Sequence, residues 1–421
     1  MQLKTLQDWL DYVERQHVRS IDLGLERVRQ VFDALGLKKS KPVLTVGGTN
    51  GKGSTCAMLE SILLAAGYRV GLYTSPHLVR YTERVRINGA EIDPPSLCEA
   101  FAEVERVRAG IPLTYFEFGT LAAWQAFCAA DLDVVILEVG LGGRLDAVNV
   151  IDTDCAIVTG IAIDHTEFLG NTREQIGFEK AGIFRSGTPA ICSDPQAPAS
   201  LIAHADSVGA DLRLLGRDFA YSGDKQQWNF RGRTTRRSAL AYPALRGANQ
   251  LLNASAALAA LEALADRLPV SMQAVREGLL KVELPGRFQV LPGRPAVILD
   301  VAHNPQSVGV LAENLSNIGY APETYGVLGM LADKDVAGAI ALIDRRIDHW
   351  FACSLPGPRG HSGDALAQRL RDAGVQGDIE VCGSPADGLE RAQERAQVDD
   401  RIVVFGSFLT VSDVMQTLDR H

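Results

Sequence analysis

A glycine-rich segment with one lysine and two hydroxyl side chains has the composition of a phosphate-binding loop. Such a loop needs backbone N–H groups turned inward, a lysine that reaches the outer phosphates and a hydroxyl for Mg²⁺. The strict P-loop pattern fails here, because residue 46 is valine and a glycine directly follows the lysine. An ordinary glycine-rich turn therefore remains an alternative. The candidate ATP-binding residues in this segment are Gly48, Thr49, Asn50, Gly51, Lys52, Gly53, Ser54 and Thr55.

Three side chains that can bind a metal follow strand-like runs further along the chain. Glu138 closes the run Val-Val-Ile-Leu, where a strand of a parallel sheet delivers a carboxylate to the ligand-binding edge. Ser75 in Thr-Ser-Pro-His and His165 in Asp-His also follow strands. Mg²⁺ prefers oxygen ligands and few protein carboxylates. Two alternatives stay open, a glutamate that caps a loop and a histidine that makes a structural hydrogen bond.

The remaining candidates are ambiguous when they are judged by residue type alone. Lys180, in Phe-Glu-Lys-Ala-Gly-Ile-Phe, is by default a solvated helix lysine. Asn249, a candidate ATP-binding residue, lies one helical turn from Asn253, so that both amides can share one helix face. A polar stripe also explains that pair. Phe116, in Thr-Tyr-Phe-Glu-Phe, is either a binding residue or a core residue at a helix start.

The segments around the glycine loop have the strand–loop–helix order that phosphate binding requires. Residues 41–46 form a short apolar run before the loop, and an apolar helical stretch continues after it to Ala66. Residues 211–235 alternate polar and apolar side chains, which predicts a hairpin or a small sheet. Further strands are predicted at 132–139, 156–159 and 188–192, and further helices at 171–184, 248–265 and 271–281.

The sequence Pro285-Gly-Arg287 interrupts this pattern and predicts a boundary between a domain at 1–285 and a domain at 286–421. Strands are predicted beyond it at 296–300, 324–329, 350–354, 379–382 and 401–405, and helices near 305–318, 335–346, 363–373, 385–397 and 409–419. Such alternation predicts a parallel, Rossmann-like sheet. The predicted fold class is α/β, with an N-terminal P-loop-type ATPase domain, whose parallel-rich central sheet is joined by a small β-sheet, and a C-terminal Rossmann-like α/β domain.

Composition argues against several classes of protein. The 421 residues are 46% hydrophobic and 22% charged, which is typical of a folded, soluble protein. The net charge of −9 argues against a nucleic-acid partner, since such proteins present a basic face. No run approaches about 18 uncharged apolar residues, so no membrane span is predicted. The seven scattered cysteines form no C-x-x-C pair, which favours reduced thiols and a cytoplasmic location.

The loop sequence G-T-N-G-K-G-S-T resembles that of the Mur ligase superfamily, and specifically that of the folylpolyglutamate synthases. The resemblance extends over essentially the whole chain and implies ATP as a substrate and two Mg²⁺ ions. It implies a metal-binding set of Ser54, Ser75, Glu138 and His165, which Lys180 joins. The family's E-K-A-G-I motif carries a lysine carbamylated by CO₂, so the resemblance implies a carbamate on Lys180 at the second metal. A monomer is also typical of the family.

Two motifs in the last third of the chain extend the resemblance. Pro285-Gly-Arg-Phe288 implies that Arg287 binds phosphate. Asp300-Val-Ala-His-Asn-Pro305 implies that Asp300 holds the ribose of ATP and that His303 lies near the incoming glutamate. Ser407, in Phe-Gly-Ser-Phe, aligns with a serine on the glutamate side. The catalytic residues that the resemblance implies are Lys52, Lys180 and His303.

The segment Leu141-Gly-Gly-Arg-Leu-Asp-Ala147 distinguishes branches of this family. Members that only extend folates commonly vary at its arginine and aspartate, whereas bifunctional bacterial members, which also make dihydrofolate, resemble L-G-G-R-L-D-A-[TV]-N. Arg144, Asp146 and Asn149 all fit the bifunctional form. The resemblance implies that Phe116, Arg144 and Asp146 bind the pterin. The implied reaction joins L-glutamate to dihydropteroate and to folates through an acyl phosphate.

Four other functions stand as alternatives. A monofunctional folylpolyglutamate synthase is opposed by Arg144 and Asp146. A cell-wall Mur ligase would carry a UDP-sugar domain before the loop, and the residues before Gly47 are too few for one. A P-loop NTPase without ligase activity would hydrolyse ATP with no carboxylate substrate, and the departure from the Walker pattern disfavours it. A non-enzymatic binding module does not explain why so many reactive residues lie where a ligase needs them.

Overall fold

The computed structural model describes residues 3–19, 21–224, 226–247 and 249–418. The chain divides into two compact units that are not contiguous in sequence. The first unit comprises Met1–Ala244 and Leu251–Val282, and the second comprises Leu245–Gln250 and Glu283–His421. The chain therefore enters the second unit briefly, returns to the first and leaves it again after Val282. No helix in the described ranges is long and apolar enough to cross a membrane.

The strands and helices before residue 282 have the following bounds. The strands are β1 (Val43–Gly47), β2 (Val70–Tyr73), β3 (Val85–Ile87), β4 (Ala90–Glu91), β5 (Val134–Glu138), β6 (Cys155–Val158), β7 (Pro189–Cys192), β8 (Asp211–Leu214), β9 (Ala220–Gly223), β10 (Trp228–Arg231) and β11 (Arg236–Leu240). The helices are α1 (Leu6–Glu14), α2 (Glu26–Leu35), α3 (Lys52–Ala65), α4 (Pro94–Arg108), α5 (Tyr115–Ala129), α6 (Thr166–Leu169), α7 (Arg173–Ala181), α8 (Ala199–Val208), α9 (Gln250–Ala263) and α10 (Met272–Lys281).

An eight-stranded sheet forms the centre of the first unit, in the order β4-β3-β2-β5-β1-β6-β7-β8. The strands from β2 to β8 in this order are parallel, and β3 and β4 add an antiparallel edge. Strands β1, β5 and β6 are buried along their whole length, as expected when helices cover both faces. The register pairs Val46 with both Glu138 and Ile157. The carboxyl ends of these three strands therefore lie side by side, at the edge where an open parallel sheet binds ligands.

Local capping signals set the starts of the helices at this edge. Thr114 and Glu117 form a capping box at α5, in which the Glu117 carboxylate accepts from the Thr114 N–H at 2.7 Å. Thr172 caps α7 by accepting from the Gln175 N–H at 3.2 Å. Helix α3 begins after Gly51 and has no capping side chain. Its first N–H groups are therefore left for the loop and for what the loop binds.

Residues 211–240 differ from the prediction. The predicted hairpin or small sheet at 211–235 is wrong in its first part, because β8 pairs in parallel with β7 in the central sheet. The small antiparallel sheet is formed by β9, β10 and β11 and continues to Leu240. Alternation of side chains cannot show which sheet a strand joins, since the pairing with β7 is a non-local contact. The helix predicted at 248–265 starts at Ala248, which lies outside the described residues.

The second unit contains a six-stranded sheet in the order β12-β13-β17-β14-β15-β16. The five predicted strands and the five predicted helices are confirmed, although the helix predicted at 409–419 ends at a residue outside the described ranges. Strand β12, which pairs antiparallel with β13, was not predicted and makes the sheet mixed. The strands are β12 (Gln289–Leu291), β13 (Ala296–Leu299), β14 (Thr324–Leu328), β15 (His349–Cys353), β16 (Asp378–Cys382) and β17 (Arg401–Phe405), and the helices are α11 (Pro305–Asn317), α12 (Val336–Ile343), α13 (Gly363–Asp372), α14 (Pro385–Arg395) and α15 (Phe408–Leu418).

Candidate active site

The glycine loop between β1 and α3 has no room for side chains at two positions. Gly48 has φ +143°, and a Cβ there would collide with the Thr159 side chain. Gly51 has φ +93°, and a Cβ there would collide with Oδ1 of Asn253 on α9. Glycine adopts these backbone angles readily, whereas other residues rarely do. The predicted partner of Asn253, Asn249, lies in a turn before α9 and belongs to the second unit.

Hydrogen bonds fasten the loop to the segment that follows β6. The Thr49 N–H donates to the Gly160 carbonyl at 2.7 Å. The Thr159 hydroxyl donates to the Asn50 carbonyl at 2.8 Å. These bonds hold the loop in one conformation, as a site that binds through backbone N–H groups requires.

Lys52 opens α3 and lies over the loop. Its Nζ donates to the carbonyls of Gly48 and Thr49, each at 3.2 Å. Ser54 and Thr55 are buried in the first turn, and no described residue makes a hydrogen bond to Oγ1 of Thr55. The start of a helix carries a partial positive charge. The loop has no room for Cβ atoms at two positions, and it presents an ammonium and uncapped N–H groups. Together these features fit the phosphates of a nucleotide.

Two of the predicted metal residues meet at the carboxyl end of β5. Glu138 is 5% exposed, and its Oε2 accepts from the Ser75 N–H at 3.0 Å. His165 directly precedes α6 and has φ +52°, with its N–H donating to Asp164 Oδ1 at 2.8 Å. In the described residues, no group of three or more His, Cys, Asp or Glu side chains is arranged to hold a metal. The predicted set instead combines the hydroxyls of Ser54 and Ser75 with the Glu138 carboxylate and the His165 imidazole. Its oxygen atoms suit Mg²⁺, which keeps several waters, whereas an imidazole is an unusual ligand for that ion.

Lys180 is deeply buried on α7, although a lysine in a helix is ordinarily expected to be exposed to solvent. Its exposed fraction is 3%. Burial, and next the positive charge of Lys52, lowers the pKa of the Lys180 amine to about 7, while Asp164 and Asp146 act in the opposite direction. Lys52, Asp164 and Asp146 therefore all lie near enough to Lys180 for their charges to act on its amine. A buried lysine that is partly neutral at physiological pH is chemically reactive.

Asp146 organises the segment that the sequence links to the pterin. Its Oδ2 accepts from the Leu141 N–H at 2.8 Å, and its Oδ1 accepts from the Val148 N–H at 3.0 Å. Burial raises the pKa of Asp146 to about 7, although these backbone donors partly offset the effect. The ring of Phe116 lies against Gly140, since a Cβ on that glycine would be 2.6 Å from Cζ of the ring. Phe116 and Asp146 therefore lie at the same turn of the chain.

Arg144 is tied to α7. Its Nε and Nη2 donate to Oε1 of Glu179 at 3.1 and 2.9 Å, and its guanidinium lies 5.8 Å from the centre of the Phe178 ring. Nδ2 of Asn149 donates to the carbonyls of Arg144 and Gly182, both at 3.0 Å. These contacts join the Asp146 segment to the helix that carries Lys180. Arg144 as a pterin ligand stays a prediction.

An aromatic and basic cluster near Ser75 was missed by the sequence reasoning. The Arg84 guanidinium lies 5.1 Å from the centre of the Tyr81 ring and 5.5 Å from that of Tyr115. Its Nε donates to Nδ1 of His77 at 2.9 Å. Burial, and then the charge of Arg84, lowers the pKa of His77 to about 4. The only signal in the sequence was that His77 follows Ser75 by two residues.

In the second unit, three predicted residues lie around one turn between β13 and α11. Asp300 accepts from the Phe288 N–H at 2.9 Å and from the Ala302 N–H at 2.8 Å. Burial raises the pKa of Asp300, and the charge of Arg287 partly offsets this. The ring of His303 hydrogen-bonds the Val301 carbonyl through Nδ1 at 2.8 Å, so Nε2 is the basic nitrogen.

The start of α15 joins this group of residues in the second unit. The Arg287 guanidinium lies 4.9 Å from the centre of the Phe408 ring, and the His303 ring centre lies 6.3 Å from it. Ser407 is buried, and its hydroxyl pairs with the Thr410 hydroxyl at 2.8 Å while accepting from the Thr410 N–H at 3.0 Å. That hydroxyl therefore caps the helix, and its predicted role on the glutamate side stays a prediction.

Family comparisons match both parts of the chain. Residues 46–261 match the Mur ligase middle domain, and residues 286–408 match the glutamate ligase domain of Mur ligases. The dihydrofolate synthase/folylpolyglutamate synthase of Escherichia coli (strain K12) is 47% identical over 415 residues, which cover 98% of this chain and 96% of the relative. The enzyme of the same name from Haemophilus influenzae is 40% identical and covers 98% of each chain.

Solved structures agree with this match. E. coli FolC in complex with DHPP and ADP superposes with a TM-score of 0.94 at 46% identity, over 99% of this chain and 98% of that one. A bifunctional folylpolyglutamate synthase/dihydrofolate synthase from Yersinia pestis with AMPPNP and a Mn ion gives a TM-score of 0.92 at 46% identity, over 99% of this chain and 98% of that one. A bifunctional enzyme of the same name holds Mn, AMPPNP and L-glutamate and gives 0.91 at 46% identity, with the same coverage.

Proposed function

This chain belongs to the Mur ligase family, in its dihydrofolate synthase/folylpolyglutamate synthase branch, and from that premise we propose that it joins L-glutamate to 7,8-dihydropteroate and to folyl glutamates. It is an ATP-dependent ligase with both activities. One observation supports this proposal most strongly: the glycine loop that binds phosphates lies near the loop that contains Asp146. Lys52, which lies over the glycine loop, and Asp146 both act on the charge of the buried Lys180. This supports a single site for phosphate transfer and for recognition of the pterin-bearing substrate.

The first chemical step forms an acyl phosphate. A carboxylate oxygen of the substrate attacks the γ-phosphorus of ATP, and ADP leaves. Gly48, Gly51 and the first turn of α3 bind the phosphates, and Lys52 moves from the loop carbonyls to the charge that develops on the transferred group. Ser54, Ser75, Glu138 and His165 would hold Mg²⁺. When bound, that ion offsets negative charge on the phosphate oxygens.

A carbamate on Lys180 would complete the second of two metal positions. The neutral amine attacks CO₂, loses a proton and becomes a carbamate, which replaces a cation by an anionic oxygen ligand. Only the unprotonated amine can react, and the lowered pKa of Lys180, about 7, supplies it near neutral pH. Burial also protects the product from water. The positive charge of Lys52 stabilises the new negative charge.

The second chemical step forms the amide bond. The α-amine of L-glutamate attacks the acyl carbon, and inorganic phosphate leaves from the tetrahedral intermediate. His303 accepts the amine proton through Nε2, since its Nδ1 is bonded to the Val301 carbonyl. Arg287 binds phosphate and Asp300 binds the ribose of ATP, with Asn249 as a further nucleotide contact. Ser407 lies on the glutamate side.

At the other end of the substrate, Phe116 and Asp146 bind the pterin ring. A planar heteroaromatic ring packs against the Phe116 ring and pairs its N–H groups with a carboxylate. Arg144 supports this end through its ion pair with Glu179. The enzyme acts as a monomer in the cytoplasm. Residues 1–285 carry its ATP-binding domain and residues 286–421 its glutamate-ligase domain, to which residues 245–250 are added.

Phosphate release from ATP tests this function directly. Reactions contain Mg²⁺ and L-glutamate, with dihydropteroate or tetrahydrofolate added separately. Stimulation by both carboxylates is expected. Stimulation by tetrahydrofolate alone would show an enzyme that only extends folates, and hydrolysis that needs neither would identify an NTPase without ligase activity.

A further inference from the structure

Residues 160–162 are bonded to the glycine loop and lead along the chain to His165. The Gly160 carbonyl accepts from the Thr49 N–H at 2.7 Å, and the Ala162 N–H donates to the Thr49 hydroxyl at 3.1 Å. Successive residues of an extended chain point their N–H and C=O groups to opposite sides. The N–H and the carbonyl of Ile161 therefore face away from the loop and need partners of their own.

Two charged side chains supply those partners. Oδ2 of Asp194 accepts from the Ile161 N–H at 2.7 Å, and Nη1 of Arg173 donates to the Ile161 carbonyl. Asp194 and Arg173 also form an ion pair, with 3.0 Å between Oδ1 and Nη2. The neighbouring strand β7 ends at Cys192. Beyond that end, the ion pair takes the place of a strand and bonds both backbone groups of a buried residue.

The ion pair is held in place by further bonds. Oδ1 of Asp194 accepts from the Gln196 N–H at 2.8 Å, and Nη2 of Arg173 donates to the Gln196 carbonyl at 2.7 Å. Asp194 is 5% exposed. Removing one partner of such a pair leaves the other charge without compensation, together with the backbone groups that it bonded. The position of Ile161 therefore depends on both side chains.

Arg173 also connects residues 160–162 to the helix that carries Lys180. It is the first residue of α7, and Lys180 lies seven residues later, on the same helix face. Burial and the charge of Lys52 lower the pKa of the Lys180 amine, and the charge of Asp164 opposes them. Asp164 therefore lies close to Lys180. One face of α7 thus meets the chain after β6 at two points, near Ile161 and near Asp164.

We propose that Arg173 and Asp194 are positioning residues of the ligase. Their ion pair holds residues 160–162, and through them it positions Thr49 in the glycine loop and His165, which would bind the metal. This inference rests on the proposed function, which assigns the phosphates to that loop. Both residues act through the segment that they hold. A misplacement of about 1 Å at such a site can lower the rate about 100-fold.

Binding of ADP to the full-length enzyme in EDTA, measured by isothermal titration calorimetry, tests the position of the loop. We expect the Kd for ADP to rise by at least about fivefold in Arg173→Met, as for the loss of a hydrogen bond to a charged group. Arg233→Met is the matched control, because both arginine side chains are 35% exposed. Arg233 also pairs with aspartates, Asp211 and Asp218, and donates to a backbone carbonyl, that of Leu212. The control is expected to keep the wild-type Kd.

Binding of Mn²⁺ to the enzyme–ADP complex, followed by electron paramagnetic resonance, tests the position of His165. We expect the Kd for Mn²⁺ to rise in Arg173→Met and to stay at the wild-type value in Arg233→Met. If circular dichroism shows that Arg173→Met is misfolded, Asp194→Asn decides both measurements, since it keeps the size of the side chain and removes its charge. Asp218→Asn is then the control, because Asp218 also accepts from a backbone N–H and pairs with an arginine.

The outcomes separate this inference from the proposed function. An ion pair that only stabilises the fold would lower the Tm of the variant and leave both affinities unchanged. A wild-type affinity for either ADP or Mn²⁺ in a folded variant therefore overturns the positioning role, as do equal losses in the control. The proposed function fails by itself if wild-type enzyme binds ADP and Mn²⁺ but joins glutamate to neither carboxylate.

Discussion

At the scale of single residues, Lys180 shows how burial makes an amine reactive. An ammonium in a water-free environment loses its hydration, so the neutral amine becomes relatively more stable. The nearby Lys52 adds repulsion between like charges. The amine that results is a nucleophile near pH 7. Once CO₂ has reacted, the charge of Lys52 favours the new negative charge beside it, whereas burial opposes that charge.

Replacing Lys180 by methionine is expected to lower turnover with both carboxylates by at least about 100-fold, as for the loss of an electrostatic group at a phosphoryl-transfer site. In wild-type enzyme, removing dissolved CO₂ lowers turnover and bicarbonate restores it. The restored fraction declines as the pH falls below about 7, because the amine is then protonated. ¹³C NMR with labelled bicarbonate should show a carbamate signal that Lys180→Met lacks. A signal that persists in Lys180→Met but disappears in the exposed-lysine control Lys39→Met would contradict the assignment.

The same lysine also predicts how stability depends on pH. Between pH 7 and the ordinary lysine pKa, the unfolded chain binds more protons at this position than the folded chain, since burial lowers the pKa of Lys180 to about 7. The energetic cost of keeping the amine neutral therefore shrinks as the pH rises through that window. In CO₂-free buffer, Lys180→Met is expected to melt above wild type at pH 7, with a smaller difference at pH 9. A difference in Tm that grows with pH would show that the lysine is charged in the folded enzyme.

Asp146→Ala is expected to reduce dihydropteroate use more than tetrahydrofolate use. The carboxylate recognises the pterin of the shorter substrate, and its two backbone acceptor contacts also hold the loop. Asn149→Ala is the matched control, because it loosens the same loop by removing bonds to the carbonyls of Arg144 and Gly182. We expect this control to lower kcat/KM for both substrates equally. Equal losses in Asp146→Ala would argue against pterin recognition by this residue.

At the scale of elements, the site depends on where β1 ends and α3 begins. Gly51→Ala is expected to raise the KM for ATP strongly, because a Cβ there is strained at φ +93° and would meet Asn253. Gly67→Ala is the matched control at the other end of α3, where φ is +88° and no atom lies within 4 Å of the added Cβ. Both substitutions cost about 1 kcal/mol in backbone strain. Only Gly51→Ala should change the KM for ATP. Similar KM values in the two variants would contradict the role of the glycine loop in ATP binding.

Sequence patterns predicted the elements of the site better than its contacts. The loop, Glu138 at the end of β5 and the strands of the second unit each carry a local signal, such as glycine spacing or an apolar run. The pairing of Arg144 with Glu179 has no local signal, because the two residues meet only when the loop packs on α7. The same holds for the ion pair of Arg173 and Asp194. Its two residues meet only when the segment after β7 packs on α7, so spacing in the sequence cannot show the contact.

At the scale of the whole molecule, the first and second units are interleaved in sequence. Residues 245–250 belong to the second unit although the chain on both sides of them belongs to the first. Gly247 lies against Asn314 of α11, where an added Cβ would be 2.9 Å from Nδ2, and it has φ +129°. The predicted boundary at 285/286 could not reveal this segment, because no composition change marks it. Residues 283–421 alone therefore do not make up the whole second unit.

A fragment of residues 283–421 is accordingly expected to fold but to be less stable than the same unit in the full chain. It keeps a six-stranded sheet and a separate apolar core, which favour cooperative unfolding. It lacks the contact of Gly247 with Asn314 on α11. Guanidinium unfolding gives the fragment's stability, and native-state hydrogen exchange of the β14 amides gives the value in the full chain. Gly247→Ala in the full chain should lower the exchange-derived stability towards that of the fragment, since the added Cβ has no room. Equal stability of fragment and full chain would mean that residues 245–250 contribute nothing to the second unit.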